Sequence, residues 1–168
     1  AGADYTIGTA SATVTIYDDE RPDISLVASN PSAFEWNGTT TGHGAFTATC
    51  TPAVAITVPV TRTGTATEAV DYVSAMPTSL TFSPTVGTLI VPVTVINDTL
   101  VEGTETVTLT LVASATKAYQ LSAKTGTVTI YDDEKPFIGV SASDVTAKEP
   151  GADTGRFRLT RMPVTNLP

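Results

Sequence analysis

One cysteine and one histidine in 168 residues leave little room for thiol, zinc or triad chemistry. Cys50 has no second cysteine with which to form an internal disulfide, and there are no paired histidines or CxxC spacing for a zinc site. His43 stands alone in a Gly-rich stretch with no nucleophile signature beside it, so the chain reads as non-catalytic and His43 as an exposed loop residue. Basic residues number 9 against 17 acidic ones, giving a net charge of −8. That balance offers no basic face to nucleic acid and suits divalent cations instead. No run of 18 apolar residues is present to cross a membrane as a helix, and no window shows apolar residues at helical spacing. A signal-peptide pattern is also missing, but the chain reads as starting in mid-repeat, so that absence says nothing about export.

Threonine, serine, valine and alanine dominate what is present, with 11 prolines and 12 glycines, a mixture suited to short strands and tight turns. The octapeptide TVTIYDDE occurs twice, at Thr13–Glu20 and Thr127–Glu134, 114 residues apart. The same offset relates Tyr5 to Tyr119, Pro22 to Pro136, Ile24 to Ile138 and Glu35 to Glu149. After a three-residue insertion around Thr39–Thr41 it becomes 111, aligning Gly44-Ala45-Phe46 with Gly155-Arg156-Phe157 and Pro52 with Pro163. Fixed-offset similarity of this kind marks a repeat array. Residues 1–20 read as the last strand of one repeat, 21–134 as a complete repeat, and 135–168 as the opening strands of a third.

Within the complete repeat, apolar residues recur at every second position: Ile24 and Leu26; Phe46, Ala48 and Cys50; Val54 to Val60; Leu80 and Phe82; Leu89 to Val95; Val107 to Leu111; Val128 and Ile130. About seven short strands separated by Gly, Pro and Asp turns predict an all-β chain folded as an antiparallel β-sandwich. Cys50 falls on the face of Phe46 and Ala48 and is expected as a small buried side chain. Pro59 and Pro92 lie on the opposite phase and predict edge strands or bulges facing solvent.

Acidic residues gather at the strand exits. Asp71 follows one strand, Asp98 and Glu102 lie in the loop after Val95, and Asp132-Asp133-Glu134 ends the last strand. A sandwich collects its loops at two ends, so these groups can converge, and crowded carboxylates repel strongly unless a cation joins them. Ca2+ takes six to eight oxygen ligands from carboxylates, carbonyls and water. The competing reading is that such aspartates only cap turns or are solvated.

Asp71-Tyr72, the LTF at Leu80–Phe82, the segment VTVINDTLVEGTETVTLTL and the terminal TVTIYDDE together resemble the Calx-β domain. The resemblance covers essentially the whole chain. It implies an immunoglobulin-like sandwich in tandem array, with Glu35, Asp71, Asp98, Glu102, Asp132 and Asp133 as side-chain calcium ligands, Leu100 as a carbonyl ligand, and Glu134 in an outer shell or hinge. Asn97-Asp98-Thr99 replaces the aspartate run of the richest sites, and Gly103 and Thr104 stand where acids often occur, so one or two ions per repeat are expected. Trp36 and Tyr72 are expected as buried or rim aromatics rather than a sugar platform, and Asn37 and Asn97 open two glycosylation sequons. The expected role is structural and adhesive, in a long extracellular or cell-surface protein of a prokaryote. Its partners would be neighbouring repeats and other copies of the chain, the latter by strand complementation. A calcium sensor of a transporter-like protein and an accessory domain of a secreted enzyme are the alternatives.

Overall fold

Inward-facing apolar residues on alternate positions bring two β-sheets face to face. The computed structural model describes residues 4, 8, 11–15, 20–36, 38–73 and 75–162. Half of the first octapeptide, residues 16–19 with Asp18 and Asp19 among them, lies outside them, as do Tyr5, Asn37 and Pro163. Strands β1 (Asp23–Asn30), β3 (Gly44–Thr51), β6 (Thr88–Val93) and β8 (Gln120–Ala123) form one sheet in the order β6-β3-β1-β8. Strands β2 (Ser32–Phe34), β4 (Ile56–Thr63), β5 (Ser79–Phe82), β7 (Glu105–Leu111) and β9 (Thr125–Tyr131) form the other, in the order β2-β9-β7-β4-β5. Ile24, Leu26, Phe46 and Val93 from the first sheet and Val58, Phe82, Val107, Leu109, Val128 and Ile130 from the second fill the space between them and are almost wholly buried.

The sandwich has nine strands where about seven were expected, because one long strand is divided and a short one is added. β1 and β2 are a single extended segment that changes sheets: the register shifts between Ala28 and Asn30, and Pro31 follows, with a fixed φ and no N–H for the first sheet. β2 then runs parallel to β9, as β8 does to β1, so two pairings of the otherwise antiparallel sheets are parallel.

Both prolines on the outward phase are exposed. Pro92 lies on β6, the edge of its sheet, as expected. Pro59 differs, since β4 has neighbours on both sides. β5 pairs with residues 56–59 and β7 with residues 60–63, so Pro59 sits at the changeover, where its missing N–H removes no ladder bond and its carbonyl still accepts from Val112 N at 2.9 Å. Cys50 is buried, with its thiol 3.3 Å from the Pro52 carbonyl.

Strands β10 (Phe137–Asp144) and β11 (Arg156–Met162) form a separate two-stranded sheet. Its register repeats that of β1 and β3 residue for residue under the offsets of 114 and 111. Ile24↔Cys50 becomes Ile138↔Arg161, Ala28↔Phe46 becomes Ala142↔Phe157, and the shift between Ala28 and Asn30 recurs between Ala142 and Asp144. The side chains differ in burial: Leu26 and Phe46 are fully buried, whereas their counterparts Val140 and Phe157 are 69% and 81% exposed.

The inward phase should carry the stability. Leu109→Ala is expected to cost about 2–5 kcal/mol in urea unfolding. Thr127→Ala, on the outward phase with only a hydroxyl contact to Thr108, should stay within about 0.5 kcal/mol.

Candidate metal centre

The end of the sandwich where β2 and β9 finish and β7 begins gathers a cluster of acids. β2 and β9 run parallel, and β7 runs antiparallel to β9, so the residues after Phe34, after Tyr131 and before Thr106 come together. Glu35 follows Ala33 on the inward phase of β2 and is 3% exposed; its N–H donates to the Tyr131 carbonyl at 3.1 Å. Glu105 occupies the inward phase of β7, in step with buried Val107, Leu109 and Leu111. Asp71 is 4% exposed and is held through both main chain and side chain: its carbonyl accepts from Ile96 N at 2.9 Å, and its Oδ2 accepts from Thr67 N at 2.5 Å. Beneath it, Tyr72 is buried, and its hydroxyl accepts from the Arg62 guanidinium at 2.7 Å, which also pairs with Glu68.

Asp132 is the hub. Its Oδ2 accepts the N–H groups of Glu102 and Gly103, both at 2.7 Å, and its Oδ1 accepts Glu134 N at 2.8 Å. Burial alone would raise its pKa, but these backbone N–H groups and the Glu134 carboxyl outweigh that and hold it below the usual aspartate value. Gly103 supplies one of the donors from a φ of 90°, a conformation that suits glycine. Asp98 turns its loop by accepting Leu100 N at 2.6 Å, and its own N–H serves Glu35.

The other acids are driven toward their protonated forms. Glu35 is pushed up to about 8, first by burial and then by the charges of Asp132, Glu134 and Asp98. Glu105 rises to about 7 through burial and a hydrogen bond with the Asp71 carboxyl. Glu134 rises to about 7 through burial and a hydrogen bond with the Asp132 carboxyl. Glu102 is raised as well, by burial and the Asp71 and Asp98 charges. Two carboxyl groups can share a hydrogen bond only if one of them keeps its proton, so without a cation this end of the fold holds protons instead.

The structure therefore draws together Glu35, Asp71, Asp98, Glu102 and Asp132 from the set expected by sequence. Ligand oxygens of Glu35, Asp132 and Glu134 lie within 4.8 Å of one another. Asp133 is exposed and apart from this trio; the strand alternation that turns Asp132 inward turns its neighbour out, and Glu134 comes back in. Leu100 is half exposed, and its N–H is the group seen in contact, with Asp98. Glu105 is missing from the expected set. The signal for it was an acid standing on the apolar phase of a strand, three residues after Glu102.

The donor set fits a hard cation. Among the described residues, the buried side-chain oxygens without a hydrogen-bond partner are Glu35 Oε2, Asp71 Oδ1 and Glu134 Oε2, and all three belong to this cluster. Trp36 is 42% exposed at the rim while Tyr72 is buried, so the two do not form a shared stacking platform. His43 is exposed, and its Nδ1 accepts Val95 N at 3.1 Å.

A family model described as the Calx-beta domain matches residues 50–134. No curated protein matches the chain. Among solved structures, the apo-form Calx CBD1 domain is 22% identical with a TM-score of 0.47, covering 66% of this chain and 98% of that one. The calcium binding domain CBD12 of CALX1.1 is 20% identical with a TM-score of 0.47, covering 65% and 44%. CBD12 from CALX1.2 is 16% identical with a TM-score of 0.46, covering 80% and 68%.

The raised carboxyls give the metal-free protein a defined pH response. Glu35, Glu105 and Glu134 bind protons more tightly folded than unfolded, so their contribution is present at low pH and is lost as pH rises through about 7 to 8. Asp132, with its lowered pKa, opposes this only at the acid end, as pH falls below the unfolded value. The melting temperature of chelator-treated protein should therefore fall steadily from pH 5.5 to 8.5, and Glu35→Gln should flatten that fall. A melting temperature that rises over this range would contradict the assignment.

Proposed function

Because the chain belongs to the Calx-beta domain family, we propose that it is a non-catalytic, calcium-binding β-sandwich repeat whose ion stiffens a tandem array. The observation that carries the reading is the set of three unpartnered buried oxygens, Glu35 Oε2, Asp71 Oδ1 and Glu134 Oε2, in one acidic cluster. A buried carboxylate oxygen without a donor is costly, and a hard divalent cation is the partner that satisfies several at once. Glu35, Asp132 and Glu134 would hold one ion, with Asp98 beside them. Asp71, Glu102 and Glu105 offer carboxylates to a second. When bound, Ca2+ supplies charge compensation and a rigid crosslink between loops.

The array reading is supported by the β10–β11 pairing, which repeats that of β1 and β3, and by the bare apolar residues it leaves exposed. In this proposal 21–134 is one repeat and 135–162 the start of the next. Only residues 132–136 separate β9 from β10, and two of them, Asp132 and Glu134, are cluster acids. A cation gripping those two side chains would immobilise the link as well as the repeat, and Pro136 stiffens it further. The few lysines, the Thr and Ser richness and the lack of structural disulfides favour an exported, extracellular or cell-surface protein of a prokaryote. Family membership also favours a second reading, a regulatory calcium sensor, in which the ion's effect is transmitted to another domain rather than expressed as stiffness.

Calorimetric titration of the chelator-treated chain should detect one or two Ca2+ ions. Ligand at a hundredfold excess over Kd should stabilise the fold by about 2.7 kcal/mol, raising the melting temperature by roughly 5–10 °C. Asp132→Asn and Glu35→Gln should abolish most of that rise. Small-angle scattering of a two-repeat protein should show a narrower distribution of dimensions with Ca2+ than with chelator. No heat, no melting shift and no change in dimensions would sink the proposal.

A further inference from the structure

His43 is the one histidine of the chain, and its ring lies between two backbone segments that lead to the acidic cluster. The first is the loop that begins at Glu35. It is closed at its far end by reciprocal bonds between Phe34 and Gly42, each 2.8 Å, which place His43 immediately after the clasp. Asn30 on β1 fixes the His43 backbone by donating Nδ2 to its carbonyl at 2.5 Å. The second segment is residues 94–96. His43 Nδ1 accepts the N–H of Val95 at 3.1 Å, the next N–H, of Ile96, donates to the Asp71 carbonyl at 2.9 Å, and Thr94 O accepts Val73 N at 2.9 Å. Val95 also forms the bridge to Tyr72, and Asp98 lies three residues on. Beyond the Gly44↔Val93 end of the β3–β6 ladder, the imidazole thus adds a further tie between the loop that starts at Glu35 and the short extension that aligns Asp71 and leads into Asp98.

The chemistry of that tie allows one protonation state. A backbone N–H can be accepted only by a ring nitrogen with a free lone pair, so His43 must be neutral with its proton on Nε2. An imidazolium carries a proton on both nitrogens and would face the Val95 N–H donor to donor. The groups that contact the ring and its backbone, the Val95 N–H and the Asn30 amide, do not titrate. Titratable groups on the surrounding segments are Glu35 on the first loop, Asp71 across from Ile96, Tyr72 across from Val95 with its hydroxyl on the Arg62–Glu68 pair, and Asp98 after Ile96. β3 carries only the distant Cys50, β6 carries none, and β1 has Asp23 at its opposite end.

We propose that His43 is a positioning residue that holds the Glu35 and Asp98 segments in register, and that its protonation loosens both and lowers cation affinity at the acidic end. This rests on the calcium reading above and assigns the site a regulator, the proton, that acts through a residue outside the ligand set.

The test uses the whole chain and Ca2+ itself, with wild type, His43→Ala and His43→Asn. Asparagine sets Oδ1 near the place of Nδ1, accepts the same N–H and cannot be protonated. At pH 7.5, His43→Ala should bind Ca2+ about three- to tenfold more weakly than wild type, the loss expected for one backbone hydrogen bond, and His43→Asn should restore most of it. At pH 5.5 the wild type should bind about three- to tenfold more weakly than His43→Asn, although the two match at pH 7.5. Protonation of the carboxylates affects both proteins alike and cancels in that ratio. In the metal-free wild type, the Val95 amide 15N shift should titrate together with the His43 ring, and in His43→Asn it should not. A ratio that stays constant with pH, or a Val95 amide that ignores the ring, overturns the proposal. If no variant binds Ca2+ at any pH, the calcium reading and this regulation of it both fall. Binding with a pH-independent ratio removes only the role of His43.

Discussion

Side chains alternate into the space between the two sheets, and at one end of that space the alternation delivers carboxylates where it elsewhere delivers valine and leucine. Glu35 extends the inward phase of β2, and Glu105 begins that of β7. The polar end is therefore continuous with the core, with Glu105 on β7 and the other acids on the segments between strands. Their mutual repulsion has to be offset, and the fold does this in layers. Backbone N–H groups converge on Asp132, burial and neighbouring acids raise Glu35, Glu105 and Glu134 toward their protonated forms, and Glu35 Oε2, Asp71 Oδ1 and Glu134 Oε2 have no hydrogen-bond partner.

Around this cluster backbone N–H groups hold both the main chain and the carboxylates of the acids. Asp71 is placed by Ile96 and Thr67, Asp132 receives Glu102 and Gly103, and the loop beginning at Glu35 is closed by Phe34 and Gly42. Such a frame keeps carboxylates close together. Non-acidic residues, His43 and the Arg62–Tyr72 pair, also tie segments together beside the cluster.

Much of the architecture was legible in the period-2 pattern. Ile24, Leu26, Phe46, Val58, Leu109 and Ile130 all lie on the phase that turned out buried, and the repeat offsets reappear as strand register in β10 and β11. Less legible were features that depend on which strand lies beside which. The move of β1 into the second sheet as β2 and the parallel pairings with β8 and β9 involve residues far apart in sequence. The half-and-half pairing that accommodates Pro59 is of the same kind, since no local signal shows that β5 stops where β7 begins.

The candidate site divides along the same line. By itself the sequence determined that acids stand at strand ends, that the chain lacks a basic face, and that Asp71, Asp98, Glu102 and Asp132 follow inward-facing strands, because composition and alternation are local properties. Only the tertiary structure decided that Glu134 rather than Asp133 joins Glu35 and Asp132, that Glu105 belongs with them, and that His43 faces Val95. Those choices depend on how far each strand runs before it leaves the sheet and on the distances between segments up to a hundred residues apart. Spacing along a chain carries neither quantity; they arise when two packed sheets bring their ends to one place.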